Sequence, residues 1–282
     1  MALDMTDLNL DLDLARVITE GLAEDVGSGD VTSLAIDPAQ RCQALLVLQE
    51  EGTVAGLPAA RAVFAQLDLD VAFTPLVEEG QQVDELPQAL ARLEGPARAI
   101  LTGERLALNL LARLCGIATL TRRYVDAVAG TGVAILDTRK TTPGLRALEK
   151  YAVRCGGGRN HRFGLYDATL LKDNHVRLAG GVGPAVERLR AQTELPLELE
   201  VDTLDQLEEA LALGVERILL DNMSPASVRQ AVARAAGRAE LEVSGGVTLD
   251  TVRAYADAGP DFISVGALTH SARSLDVSLE VV

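Results

Sequence analysis

From about Val133 onward, short apolar runs alternate with stretches of helical periodicity, the pattern of repeated βα units and hence of a parallel sheet or barrel. The runs are "VAILDTRK", "ATLLKDNH", "LPLELEVD", "VERILLDN", "AELEVSGG" and "DFISVGAL". Amphipathic segments lie between them. One spans 203–213, "TLDQLEEALAL", with Asp202 as its expected N-cap and Gly214 at its close; others span 225–236 and 249–258. The first ~110 residues read differently. They hold alternating runs ("CQALLVLQ", "VAFTPLVEEG"), prolines at 58, 75, 87 and 96, and a helical pattern over 58–67, which predicts an α+β domain. A long helix over about 102–129 joins the two parts, with a bend expected near Gly116. The predicted boundaries are 1–115 for the first domain and 116–270 for the second, with 271–282 as a tail.

Successive strand ends can be aligned by spacing. Glu200, Asp221, Ser244 and Gly266 stand 21, 23 and 22 residues apart, each the polar or small residue that follows the apolar part of its run. Lys140 and Lys172 hold the same place on the two preceding runs. In barrels of this kind the reacting groups project from the carboxyl ends of strands while strand interiors fill the core.

Composition narrows the chemistry. The 282-residue chain is 48% hydrophobic and only 3% aromatic with no Trp, so its core is built from aliphatic side chains. It carries 26 Lys and Arg against 41 Asp and Glu, a formal charge of −15, which argues against broad nucleic-acid or anionic-membrane binding. Residues 139–177 reverse that sign, with nine cations (Arg139, Lys140, Arg146, Lys150, Arg154, Arg159, Arg162, Lys172, Arg177) against three acids (Glu149, Asp167, Asp173). A concentration this local calls for a small anionic ligand in a focused site. Three widely spaced cysteines (Cys42, Cys115, Cys155) suggest neither a disulfide framework nor a zinc knuckle. The acidic amino terminus lacks the basic start of a signal peptide and no ~20-residue apolar span occurs, so the expectation is a soluble cytoplasmic protein.

Each feature has a plainer alternative. Arg139 and Lys140 at a strand end can be merely solvated, but their occurrence with Lys172, His161 and Arg162 argues for a pocket. "CGGGRNHR" can be a connector or a backbone nest for an oxyanion. His161 and His175 lack a third His or a nearby Cys at ligand spacing, so anion contacts are preferred to metal ligation, with a structural histidine as the alternative. Glu200 and Asp221 can grip Mg²⁺ or sugar hydroxyls, or serve as helix caps. "SGGV" and "VGAL", on the last two strand ends, suit phosphate held by backbone N–H groups. Together these point to a phosphosugar plus an anionic partner.

At these residues the chain resembles the quinolinate phosphoribosyltransferase family. The likeness runs from "EDVGSGDVTS" through "ERLALNLLARLCGIAT" and "DTRKTTPGLRALEKYAVRCGGGRNHRFGLYDATLLKDNH" to "LELEVDT", "LLDNM", "EVSGGV" and "DFISVGALTHS". Cys115 stands where that family commonly has Ser. The resemblance implies an N-terminal α/β sandwich joined to an open α/β barrel of about six to seven parallel strands, with the C-terminal tail returning to the first domain. It implies that quinolinate and phosphoribosyl pyrophosphate combine with Mg²⁺ and no organic cofactor, giving nicotinate mononucleotide, pyrophosphate and CO₂. Arg105, Thr138, Arg139, His161, Arg162 and Lys172 match its substrate-binding positions. Lys140, Glu200 and Asp221 match those around the phosphoribosyl group and metal. Ser244, Gly245, Gly246, Val265, Gly266 and Ala267 match its phosphate loops. A homodimer with shared active sites, or a hexamer of such dimers, is also implied, with Arg105 reaching the neighbouring subunit's site. The rival readings are a nicotinate-specific phosphoribosyltransferase, an aldolase or decarboxylase barrel with Lys172 as Schiff base, and a non-catalytic phosphosugar sensor.

Overall fold

A computed structural model describes residues 8–282. Residues 1–7, part of the acidic stretch read for targeting and of the predicted first domain, lie outside the described residues. In chain order the elements are α1 (Leu8–Val26), β1 (Arg41–Leu48), β2 (Gly52–Thr53), α2 (Leu57–Leu67), β3 (Ala72–Pro75), β4 (Gln82–Val83), β5 (Gln88–Pro96) and α3 (Ala97–Ala127). Then come β6 (Ala134–Leu136), α4 (Arg146–Cys155), β7 (Thr169–Leu171), α5 (Asp173–Ala179), α6 (Val182–Arg190), β8 (Leu197–Val201), α7 (Leu204–Ala212) and β9 (Arg217–Asp221). The chain ends with α8 (Pro225–Ala235), β10 (Glu240–Ser244), α9 (Leu249–Ala256), β11 (Phe262–Ser264), α10 (Ala267–His270) and β12 (Val277–Val281). They form two compact units, one from the described residues through 122 with 141–157 and 268–282, the other from 123–140 and 158–267.

The first unit is built on an antiparallel sheet ordered β12-β1-β5-β3. β1 is its centre: Ala44, Leu46, Val47 and Leu48 are buried, and Ala44 pairs with both Leu93 of β5 and Val281 of β12. The tail therefore supplies an edge strand. β5 went unread in the sequence because "QALARLEGP" is short on β-branched residues and flanked by Pro87 and Pro96. Small residues on the helices allow close packing: Gly21 of α1 lies against the Leu106 side chain of α3, and Gly103 of α3 against Phe64 and Leu67 of α2. α3 runs as one helix through Gly116, so the glycine has a role other than the expected bend. A Cβ at Gly116 would collide with the Arg273 carbonyl, and this glycine is needed for a close backbone approach. Cys115 is buried beside Ala55, within 3.3 Å of both its N–H and its carbonyl, and burial lifts its thiol to about 12, so it is inert packing.

A domain cut at 115/116 falls inside α3, and the segment 141–157 belongs to the first unit. The reason is a buried anchor on α4. Glu149 is fully buried and accepts from Arg113 Nη2 at 2.8 Å, Arg113 Nε at 3.2 Å, Thr142 N–H at 3.0 Å and Thr142 Oγ1 at 2.8 Å. Removing one member of so buried a pair typically costs about 3–5 kcal/mol. The anchor has a second consequence. Arg146, Lys150 and Arg154 of the basic stretch lie on α4 and belong to the first unit, with Lys150 fully buried.

In the second unit the six apolar runs become a six-stranded, all-parallel sheet ordered β6-β11-β10-β9-β8-β7, open between β6 and β7. A single parallel bridge from Leu136 to Arg159 continues it past β6. α7, α8 and α9 follow the predicted spans within two residues. α7 is capped by Thr203 rather than Asp202, because Thr203 Oγ1 accepts from Gln206 N–H at 3.2 Å while the Gln206 side chain accepts from Asp202 N–H at 2.7 Å. The glycine triplet is no oxyanion nest at its first two members. Gly156 N–H donates to Ala152 and Gly157 N–H to Arg154, so both close α4.

Candidate active site

All the strand-end residues of the second unit follow from one alternation. Side chains two apart on a strand share a face, so Glu198 and Glu200 of β8, Arg217 and Asp221 of β9, and Glu242 and Ser244 of β10 point the same way. Register places Ser244 beside Asp221 and Glu198 beside Arg217. Glu200, Asp221 and Ser244 thus line the carboxyl ends, while Glu198, Arg217 and Glu242 lie one layer deeper.

At the upper layer, Lys172 Nζ donates to Glu200 Oε2 at 2.6 Å. Asp221 Oδ2 accepts from Asn222 Nδ2 at 2.7 Å. Neither acid caps a helix: the caps are Thr203 for α7 and Ser224 for α8. Oε1 of Glu200 and Oδ1 of Asp221 accept no hydrogen bond among the described residues, so two hard oxygen donors remain on adjacent strand ends, a set that suits Mg²⁺. Asn222 adopts a left-handed φ of 53°, and its side chain fills the space a Cβ on Gly245 (φ 95°) would need. Lys172 is half exposed and paired with a carboxylate, whereas a Schiff-base lysine is activated by an apolar pocket or a neighbouring cation.

Arg139 and Arg162 come near each other beyond β6. Asp137 is fully buried and accepts from Asn160 Nδ2 at 2.6 Å and from His161 N–H at 2.9 Å, tying the turn at 138–140 to the segment bearing Arg162. Thr138 Oγ1 accepts from Lys140 N–H at 3.1 Å. Arg162 donates through Nη1 to the Ala168 carbonyl at 3.1 Å, and its buried Nε has no hydrogen-bond partner among the described residues. Burial first, and the neighbouring Arg139 charge second, push the Arg162 guanidinium below its usual pKa. The Arg139 and Arg162 guanidiniums thus lie close enough to repel one another, an arrangement that suits an anion.

Three sequence expectations change. Val265 N–H donates to the Leu136 carbonyl at 2.9 Å, so it is spent in the sheet and not available to phosphate. His175 Nδ1 accepts from Lys172 N–H at 3.0 Å, which makes it a helix-terminus residue of α5. His161 faces acids: Nε2 lies 3.1 Å from Glu198 Oε2 and 3.5 Å from Glu242 Oε2, while Nδ1 accepts from Arg162 N–H at 2.8 Å. Both ring nitrogens are engaged within the protein. Arg105 lies on α3 of the first unit, its side chain 65% exposed.

Glu198, Glu242 and Arg217 escaped the sequence reading, although an acid inside an otherwise apolar strand was a visible signal. Arg217 Nη2 donates to Glu242 Oε2 at 2.6 Å, its Nε is 3.5 Å from Glu198 Oε1, and its guanidinium stacks 4.0 Å over the Phe262 ring. His161, Glu198 and Glu242 each offer a ligand atom within 4.8 Å of the others, but Arg217 already supplies the positive charge there. Burial and the Glu198 charge raise Glu242 to about 7, against the pull of the Arg217 charge. Glu198 is held below its ordinary value, its own burial outweighed by the His161 hydrogen bond and by the Arg217 charge.

Folded Glu242 holds its proton to about 7, unfolded to its ordinary 4.5. The folded state therefore binds more protons in that window, and this group's contribution to stability is lost as pH rises through it. Glu242→Gln removes the titration. The difference in Tm between the variant and wild type should shift toward the variant from pH 4.5 to 7, as read by calorimetric melts; a difference independent of pH would show that folding does not raise Glu242.

An open parallel α/β sheet with cations and carboxylates gathered on its carboxyl strand ends defines a barrel-type enzyme of anionic substrates. The family descriptions "Quinolinate phosphoribosyl transferase, N-terminal domain" and "C-terminal domain" match residues 30–115 and 117–280. The chain belongs to the quinolinate phosphoribosyltransferase family. A Bacillus subtilis protein named as a probable carboxylating nicotinate-nucleotide pyrophosphorylase is 43% identical over 272 residues, covering 96% of this chain and 94% of that one. The carboxylating nicotinate-nucleotide pyrophosphorylase of Mycobacterium leprae is 45% identical over 280 residues, covering 96% and 98%. The structure of the Francisella tularensis nicotinate-nucleotide pyrophosphorylase superposes with a TM-score of 0.92 at 40% identity, covering 96% of each chain.

Proposed function

We infer that this chain transfers the phosphoribosyl group of phosphoribosyl pyrophosphate to quinolinate with loss of CO₂, giving nicotinate mononucleotide and pyrophosphate for NAD biosynthesis. The observation that carries the reading to the residues is the pairing of Arg162 with Arg139: two partly buried guanidiniums side by side, one with a buried unpaired Nε, fit a ligand with two adjacent carboxylates. A nicotinate-specific enzyme has one carboxylate to hold and less use for so many cations.

On this reading Arg139, Arg162 and Lys172 orient the quinolinate ring, and Lys140 with the turns at 244–246 and 266–267 faces the phosphates. Glu200 and Asp221 would hold Mg²⁺, which when bound neutralises charge on the pyrophosphate. Departure of pyrophosphate leaves cationic character on the ribose, and the carboxylates of Glu200 and Asp221 stabilise it electrostatically. Once alkylated, the cationic ring nitrogen stabilises the electron pair left on the adjacent carbon as its carboxylate departs as CO₂, and a proton from water takes the carboxylate's place, so no organic cofactor is required. The described residues contain no helix long and apolar enough to cross a membrane, and Cys42, Cys115 and Cys155 are free thiols, which supports the proposal of a cytoplasmic enzyme. A homodimer in which Arg105 serves the partner's site completes the proposal.

Arg162→Ala tests the pocket assignment. Quinolinate binding should weaken by roughly 1.5–3 kcal/mol, the worth of a charge-assisted hydrogen bond, with phosphoribosyl pyrophosphate binding nearly unchanged. Calorimetric titrations showing equal loss for both ligands would sink it.

A further inference from the structure

We propose that Glu198, Glu242 and Arg217 act as positioning residues that fix the His161 ring as its Nε2–H tautomer and, through Nδ1, lock the main chain that carries Arg162. The geometry is a chain of contacts from the sheet interior to the pocket. Arg217 Nη2 meets Glu242 Oε2 at 2.6 Å and its Nε lies 3.5 Å from Glu198 Oε1, Glu198 Oε2 takes the Nε2–H of His161 at 3.1 Å, and His161 Nδ1 takes the N–H of Arg162 at 2.8 Å. Glu242 is fully buried and Glu198 nearly so, and stacking on Phe262 fixes Arg217, so the first links are rigid.

The tautomer is the informative point. A proton on Nδ1 would face the Arg162 N–H at 2.8 Å, donor against donor, and would push the loop away. The two acids favour an imidazolium, whereas the Arg162 N–H excludes a proton from Nδ1; the contact distance decides for the neutral ring. Asp137 holds the other side of the same residue by accepting the His161 N–H at 2.9 Å. The Arg162 backbone is thus set by two acids through one histidine, one acting on its main chain and one on its ring. Deletion of the Glu198 acceptor frees the ring to flip or change tautomer. The pocket then loses the alignment of Arg162 with Arg139, without loss of any group that touches phosphoribosyl pyrophosphate. This consequence rests on the function proposed above.

The experiment uses the full chain labelled with ¹⁵N-histidine; with three histidines, at 161, 175 and 270, assignment is direct. Wild type should show His161 as the Nε2–H tautomer at neutral pH. Glu198→Leu should abolish that single tautomer and raise the Kd for quinolinate roughly tenfold, the effect of about one hydrogen bond, with the Kd for phosphoribosyl pyrophosphate within twofold. Glu198→Gln keeps an acceptor oxygen and should restore both the tautomer and quinolinate binding. An Nδ1–H ring or an imidazolium in wild type overturns the proposal. So does a folded Glu198→Leu protein that binds quinolinate as wild type does, or a Glu198→Gln protein that is folded but not rescued. The tautomer needs no ligand, so it decides the relay even if wild type fails to bind quinolinate, a result that would remove the functional reading instead.

Discussion

Glu200→Gln and Asp221→Asn are each expected to give a folded protein whose kcat falls by roughly a hundredfold or more, the usual loss when a preorganised electrostatic group is removed from a developing charge. The expectation depends on where these acids stand. Each ends a strand, neither caps the helix that follows, and each keeps one carboxylate oxygen without a hydrogen bond among the described residues. Glu200 also holds Lys172 at 2.6 Å, so Glu200→Gln should raise the KM for quinolinate as well, whereas Asp221→Asn should act on kcat alone. Rates at saturating substrates and Mg²⁺, with circular dichroism as a check on folding, measure both. Wild-type kcat in both variants would assign the acids to the surface.

Restored activity from two inactive proteins is the second large effect. Arg105→Ala and Lys140→Ala homodimers should each be nearly inactive, because the proposed dimer draws Arg105 from one subunit and Lys140 from the other. Co-expressed, they form heterodimers with one site holding both residues and one holding neither, and activity should return to about half that of wild type. Native mass spectrometry confirms that heterodimers are present. If they form and activity stays low, Arg105 serves its own subunit's site or only supports α3.

The parallel sheet was legible because its strands are buried on both faces and read as near-continuous apolar runs ending in polar residues; all six were found, and the spacing of Glu200, Asp221 and Ser244 marked their carboxyl ends. β5 was not, since its alanines and arginine give no clear alternation. The basic stretch was legible as charge but not as geometry. Sequence proximity put Lys150 beside Lys140, whereas the buried Glu149 anchor holds α4 in the other unit. His161 looked like an anion contact because its acid partners lie 37 and 81 residues away, inside strands, and only the fold brings them to it. Val265 seemed a phosphate donor because spacing cannot reveal that its N–H is already in the sheet.

The central claim is tested most directly by release of labelled CO₂ from quinolinate carrying the isotope in the carboxylate next to the ring nitrogen. The account predicts release only when phosphoribosyl pyrophosphate and Mg²⁺ are both present, with nicotinate mononucleotide formed in equal amount. Release without phosphoribosyl pyrophosphate, or transfer to nicotinate with none to quinolinate, would contradict it.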